Sequence, residues 1–453
     1  MLKKSSTIFT RLLDHIMDIP VVDCHDHLCG PQRDQNGFHI EPILMLITPY
    51  LVSDIWSAGA SDEEIELLQS KDASTDEKWP IFNRLWSSTK HTTFSRITKL
   101  MLKEFYNIEE LTRPALDKIM EQRAVYDHSN YLKILEDAGI KAVIADVLMQ
   151  MSWEGPVTDR YFSNPVLKKY LEGKLPMPDM WHPVFPLPFF HEIRHHEFIL
   201  FISTISGSKI TSLAEYEEAV FNLIKNSKEH GVVALKDQSA YVRVISYDLP
   251  PRSHAEKIFN KLLIGPRNLL SWPQVKPLGD YLFHQYMRFA RELHLPVQIH
   301  TGYVAGIRNR VDKANAVHLA SVLELHSDVQ FDLFHGNWPY MGDLLFLAKN
   351  YPNVYIDLCW LSVIDPLYSQ ELIKHAIMTV PHIKIHAFGG DYTLSPEFVA
   401  AHLELKRVVI ANALSDLVEH NWLEEHDAIQ VAADWLFNNP NRFYNLGLRP
   451  RAI

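Results

Sequence analysis

Val21-Val22-Asp23-Cys24-His25-Asp26-His27 reads as a short strand whose end carries two histidines. Side chains alternate along a strand, so imidazoles at i and i+2 leave one face while Asp26 points the other way. Two imidazoles aimed at one point are half of a metal site, and imidazole suits Zn, Fe, Mn and Ni alike. With 24 histidines in the chain, one such pair decides little by itself. Its weight depends on whether later strands end in residues of the same kind.

They do. Short apolar runs at 142–147, 184–190, 232–236, 296–300, 329–335, 353–358 and 383–391 alternate with helical patterns, among them 213–230, 278–294, 314–326, 340–350 and 367–379. Continuous apolar runs of this length suit strands buried on both faces of a parallel sheet. With residues 21–27 as the first, eight strands alternate with helices, and closure into a (β/α)8 TIM-like barrel is the economical α/β reading. Between the first two strands, residues from about 38 to 137 read as a helical insertion. The stretch FSRITKLMLKEF (94–105) repeats apolar residues at helical spacing, Thr112 before Arg113-Pro114 reads as an N-cap, and Gly139 as a helix stop. The expectation is one domain over 1–453 with that insertion inside it.

Composition narrows the partners. The chain is 47% hydrophobic and 22% charged, ordinary for a globular protein, and a formal net charge of −11 argues against nucleic-acid or anionic-membrane surfaces. A small-molecule substrate is the better expectation, with no nucleic acid and no membrane partner; self-association into a homo-oligomer stays open. Three cysteines, Cys24, Cys29 and Cys359, suggest free thiols and a cytoplasmic location rather than a disulfide framework. Cys24, inside the first strand, is read as a packed thiol facing away from His25; Cys29 lies nearer the rim.

The residues with ligand chemistry fall in a pattern. His25, His27, Lys236, His300, His335 and Asp391 each stand at the C-terminal end of an expected strand, the rim where such barrels place their chemistry. Several coincidences at one rim outweigh the ordinary reading of each as a packed strand-end residue.

This order, HxH at the first strand, Lys at the fourth, His at the fifth, His at the sixth and Asp at the eighth, resembles the amidohydrolase superfamily of metal-dependent distorted barrels. HTG (300–302), HGNWPY (335–340), NVYIDLCWL (353–361), GGD (389–391) and NPNRFYNL (439–446) resemble the amidohydrolase-related group that borders uronate isomerases. The insertion after the first strand and RNR (308–310) are similar to features of those isomerases. Their Trp-rich sixth-strand segment and TDSRSF-like eighth-strand segment are absent here.

The resemblance implies a cofactor of one or two divalent ions, zinc first and Mn, Fe or Ni as alternatives. His25 and His27 with Asp391 would hold one ion, and Asp391 would be the catalytic base. His300 would complete that shell or bind a second ion; His335 would share the second ion or polarise the substrate carbonyl. Lys236 is either a carbamate bridging two metals, as in many members of the superfamily, or a plain cation that binds a substrate carboxylate or pairs with Asp237.

Around the rim, Tyr241, Arg243, Arg308, Arg310 and Trp338 are candidate substrate contacts, since guanidinium groups above a metal suit an acidic substrate. Trp338 and Trp360, each just beyond a strand end, could wall the pocket, but core packing is the preferred reading. The run His191-Glu192-Ile193-Arg194-His195 is a literal HExxH, yet it follows the proline-broken FPLPFF (185–190) rather than sitting in a long helix. The expected activity is therefore hydrolysis of an amide, lactone or ester carbonyl by a metal-activated water. The alternative is a sugar-acid isomerase or non-oxidative decarboxylase on the same barrel. A deaminase fits less well, because Thr301-Gly302-Tyr303 replaces the glutamate those enzymes carry there.

Overall fold

The structure is a computed structural model, and the residues it describes are 6–28, 40–146, 169–170, 174–265, 269–393 and 395–451. Cys29, Val147 and the first residues of the expected insertion lie outside them. Eight parallel strands run in the order β1 to β8: β1 Val21–Asp26, β2 Ile140–Ala145, β3 Trp181–Pro186, β4 Ala234–Asp237, β5 Val297–Ile299, β6 Phe331–Leu333, β7 Val354–Asp357 and β8 Ile385–His386. Each pairs with the next in sequence. Backbone bonds from Cys24 N to Phe388 O (2.9 Å) and Asp391 N to His25 O (3.0 Å) join β1 to the segment after β8 and close the ring. The (β/α)8 architecture read from the alternation is the one observed.

The barrel interior is lined low down by small and branched residues, Val22, Ala142, Ile144, Val184 and Ala234. Phe443 and Tyr444 pack against them from the short helix Asn439–Phe443. Small side chains on the strands leave room for these aromatics, so the bottom is plugged and the open end is the C-terminal rim.

Boundaries differ where proline or a bulge intervenes. The third strand ends at Pro186, earlier than the apolar run 184–190, because Pro188 opens a one-turn helix, Pro188–His191. β8 is only Ile385–His386, and residues 387–391 continue as extended chain bonded to β1. The expected helix 314–326 is two 3-10 turns followed by Ala320–Leu325. The insertion is helical from Pro42 to Asp137, with Thr112 accepting a bond from Ala115 N as N-cap of Arg113–Arg123. It is pinned to the barrel by the buried pair of Arg123 Nη1 and Glu397 Oε1 at 2.5 Å, Glu397 being in the helix Pro396–Glu419 that follows β8.

Candidate metal centre

β1 delivers His25 and His27 to the rim with a register shift between Asp23 and Asp26. Asp391 Oδ1 lies 3.3 Å from His25 Nε2 and 3.0 Å from His27 Nε2. Asp391 itself is in the left-handed region at φ 62°, as are His335 (φ 61°) and Trp360 (φ 62°). That conformation is uncommon for non-glycine residues, costs roughly 1–3 kcal/mol each, and clusters at functional sites. Backbone bonds hold it, Asp391 N to His25 O and Trp360 N to Gly389 O. Gly390 has to be glycine: a Cβ there would lie 2.2 Å from Asp26 Oδ2 and 3.0 Å from Asp23 Oδ2.

The second part of the rim comes from β5 and β6. His300 Nδ1 and His335 Nε2 face each other at 3.1 Å, and His335 Nε2 is 4.0 Å from Asp391 Oδ2. Carbonyl oxygens fix the tautomers, because a carbonyl can only accept. His27 Nδ1 donates to Asp146 O (3.0 Å), His335 Nδ1 to Cys359 O (3.2 Å) and His300 Nε2 to Tyr303 O (3.0 Å). In neutral rings the remaining nitrogens, His27 Nε2, His335 Nε2 and His300 Nδ1, then carry lone pairs turned toward one another and toward Asp391. Lone pairs that converge in a buried site need a cation, and backbone partners on the far nitrogens are how metal-ligating histidines are oriented. The residues therefore fit a divalent metal, and His25, His27 and Asp391 form one metal-capable group of the described residues.

Electrostatics agree. Burial alone would raise the Asp391 carboxyl, but His25 and His27 outweigh it and hold it well below the ordinary carboxylate range. Burial, then Lys236, lowers His25 well below its ordinary value and His300 to about 3; burial, then His300, lowers His335. These rings stay neutral, as ligands must. Lys236 is fully buried, with Nζ 3.5 Å from His25 Nε2 and 3.6 Å above the Phe334 ring, and burial brings its pKa down to about 8.

The structure thus brings His25, His27, Lys236, His300, His335 and Asp391 together, with the Tyr241 ring 4.9 Å from that of His300. It does not bring Arg243 with them, which corrects that residue's reading as a loop cation over the site. Arg243 is buried, bonded to Asp280 and, at 3.2 Å, to Glu192, and sandwiched by Tyr247 and Trp272, each 4.4 Å away. Arg308 is exposed, on Trp56 and 3.1 Å from Asp62; Arg310 is exposed beside Asp312. Trp338 packs edge-on against Tyr303 and Tyr368, and Trp360 is wholly buried against His335. The HExxH run is not one helix: His191 ends Pro188–His191, and His195 caps the next helix, His196–Ser206. His191 instead sits between Asp237 (3.2 Å) and Glu192 (3.3 Å).

Sequence reading missed three contributors. The Asp146 carbonyl accepts from His27 Nδ1 and its carboxylate from the Gln238 amide; an acid inside the otherwise apolar run 142–147 is the available signal. Asp23 Oδ1 accepts from His25 N (3.2 Å) and Gly390 N (3.0 Å), tying both halves of the first ligand group. Tyr50, from the insertion, donates to the Asp391 carbonyl and packs 4.4 Å from Trp360; nothing local marks it.

Fold and rim define a (β/α)8 barrel with metal-capable His and Asp groups at its C-terminal face. Residues 232–446 match the family model described as Amidohydrolase. Protein fluG of Emericella nidulans is 31% identical over 193 residues, 40% of this chain, and the chain spans only 22% of that protein's length. A uronate isomerase of Thermotoga petrophila is 20% identical over 465 residues, covering 96% of both chains. The crystal structure of uronate isomerase from Thermotoga maritima superposes with a TM-score of 0.74 at 17% identity, over 97% of this chain and 98% of that one, a likeness of fold. The resemblance to the amidohydrolase superfamily is borne out by that family model over the C-terminal part of the barrel, residues 232–446.

Proposed function

We propose that the chain is a metal-dependent hydrolase acting on the carbonyl of a small amide, lactone or ester. The observation that carries this is the convergence of His25 Nε2 (3.3 Å) and His27 Nε2 (3.0 Å) on Asp391 Oδ1, with the His300 and His335 pair reaching toward the other Asp391 oxygen. A divalent ion there supplies a polarised carbonyl and a water of lowered pKa. His25, His27 and Asp391 would hold it; His300 and His335 would hold a second ion or, through His335, orient the carbonyl oxygen. Asp391, kept ionised, accepts the proton of the attacking water on a carboxylate oxygen and returns it to the leaving group. Lys236, with its ammonium form disfavoured by burial, would be available as a ligand for that second ion once its neutral amine adds carbon dioxide and releases a proton to solvent, giving a carbamate. Tyr241 and Tyr303 border the His300 side of the site.

A second reading, sugar-acid isomerisation, is favoured by the full-length similarity to proteins named uronate isomerase. One experiment separates the two. Metal per chain is measured for wild type and Lys236→Met, and both are assayed against uronates and against small lactones, esters and amides. The hydrolase reading expects two ions falling to one in Lys236→Met, with turnover of a carbonyl substrate lost in parallel. One ion in both proteins with uronate turnover retained would replace it by the isomerase reading.

A further inference from the structure

Inside the barrel lies a second cluster of ligand-type side chains, on β1, β7 and β8. Cys24, Asp357 and His386 each offer a ligand atom within 4.8 Å of the other two, and all three residues are completely buried. His386 Nδ1 lies 3.0 and 3.1 Å from the two Asp332 oxygens, so it carries the hydrogen and Nε2 keeps a lone pair. Tyr444 in turn donates to Asp332. A carboxylate behind an imidazole, itself hydrogen-bonded, is the arrangement that fixes the tautomer of a metal-bound histidine. Among the described residues, His386 Nε2, Asp357 Oδ2 and the Oε1 of the neighbouring Gln298 have no hydrogen-bond partner, although all are buried. Leaving such atoms unmatched costs about 1–3 kcal/mol each, which a cation held by Asp357 and His386 would offset for those two.

We propose that Cys24, Asp357 and His386 bind a further metal ion, a thiophilic divalent cation such as zinc, that staples the closing seam of the barrel. The site is separate from the rim centre and shares no ligand with it. One sulfur, one imidazole and one carboxylate suit Zn2+ in tetrahedral geometry, and Gln298 touches the cluster's first strand through its amide nitrogen, which bonds Cys24 O at 3.0 Å. Binding releases the thiol proton of Cys24 and any carboxyl proton of Asp357 to solvent, leaving thiolate and carboxylate on the ion. The purpose follows from topology. β8 is two residues long, and the ring closes through a few backbone bonds between β1 and residues 388–392. An ion held jointly by β1, β7 and β8 locks that seam directly beneath His25 and Asp391. Because the cluster is enclosed, the ion enters as the barrel folds and leaves only when it opens.

The test uses untagged full-length protein folded with zinc and then dialysed against a chelator to strip the rim. Metal analysis and X-ray absorption are read on wild type, Cys24→Ser and Cys359→Ser, with circular dichroism to certify folding. The expected result is one chelator-resistant ion per chain with a sulfur neighbour at about 2.3 Å, lost in Cys24→Ser and kept in Cys359→Ser, whose thiol faces the rim. No resistant ion in folded wild type, an ion with only nitrogen and oxygen neighbours, or a sulfur signal that follows Cys359 would each overturn the proposal. The wild-type spectrum decides even if Cys24→Ser fails to fold, and neither outcome depends on the rim chemistry.

Discussion

Replacing Asp23 by alanine should weaken metal binding at the rim although Asp23 touches no ligand side chain. Its Oδ1 accepts His25 N at 3.2 Å and Gly390 N at 3.0 Å, so one oxygen sets the backbone on both sides of the site. Asp23 is wholly buried, and no water can replace the lost acceptor without a cavity to hold it. Each orphaned N–H costs about 1–3 kcal/mol, so roughly 2–6 kcal/mol of local restraint is removed. Part of that appears as stability and part as ligand misplacement. Loss of an outer-shell partner usually lowers metal affinity about 10- to 100-fold, or about 1.4–2.8 kcal/mol, which the loss of one of the two bonds would account for. Asp23→Asn keeps a carbonyl oxygen in the same place and should lose less than tenfold. Burial lifts the Asp23 carboxyl to about 7 against the bonds from Gly390, Asp26 and His25, so a neutral side chain is already nearly tolerated there. The assay is competition for zinc with a chromophoric chelator on the three folded proteins. Alanine and wild type binding zinc equally would refute the reasoning, as would asparagine falling as far as alanine.

Three further outcomes are expected. In metal-free protein, imidazole NMR should show His300 neutral at every pH above 5, since burial and then Lys236 lower it to about 3, and His335 still neutral at pH values where a free imidazole is protonated, since burial and then His300 lower it. His27, raised because Asp391 outweighs burial, should be the rim ring that takes a proton as pH falls; the stability it adds is full below its unfolded pKa and fades as pH rises through the folded one. Gly390→Ala should push the chain at Asp391 away from the Asp23 and Asp26 carboxyls, and a displacement near 1 Å is worth about 100-fold in kcat/KM, measured on whichever substrate proves active. Glu397→Ala takes the carboxylate from the buried Arg123 cation between insertion and barrel and leaves it only neutral hydroxyl contacts such as Tyr106 and Ser395, a loss of about 3–5 kcal/mol in denaturant unfolding, much of it recovered by an Arg123→Met, Glu397→Leu pair.

The strand-helix alternation and the six rim residues were legible from the sequence because both are local signals. A strand buried on two faces must be continuously apolar, and a rim residue is simply the one that follows it. Capping is equally local, so Thr112 and Gly139 mark their helix ends correctly. Partner choice is not local. That Arg243 belongs to Asp280 and Glu192 and not to a ligand depends on residues 37 and 51 positions away. Tyr50 meets Asp391 across 341 residues, and Asp23 meets Gly390 across 367. The HExxH run has ligand spacing only if it is one helix, and proline at 188 together with the His195 cap makes it two. Cys24 is the packed thiol that strand alternation predicts, on the interior face with Val22, but that Asp357 and His386 lie beside it is set by closure of the barrel. Periodicity and capping, which one segment's backbone enforces on itself, are written in the sequence. The company a buried polar atom keeps is decided by closure of the barrel, which brings distant strands to one axis and leaves each donor and acceptor only the partners it finds there.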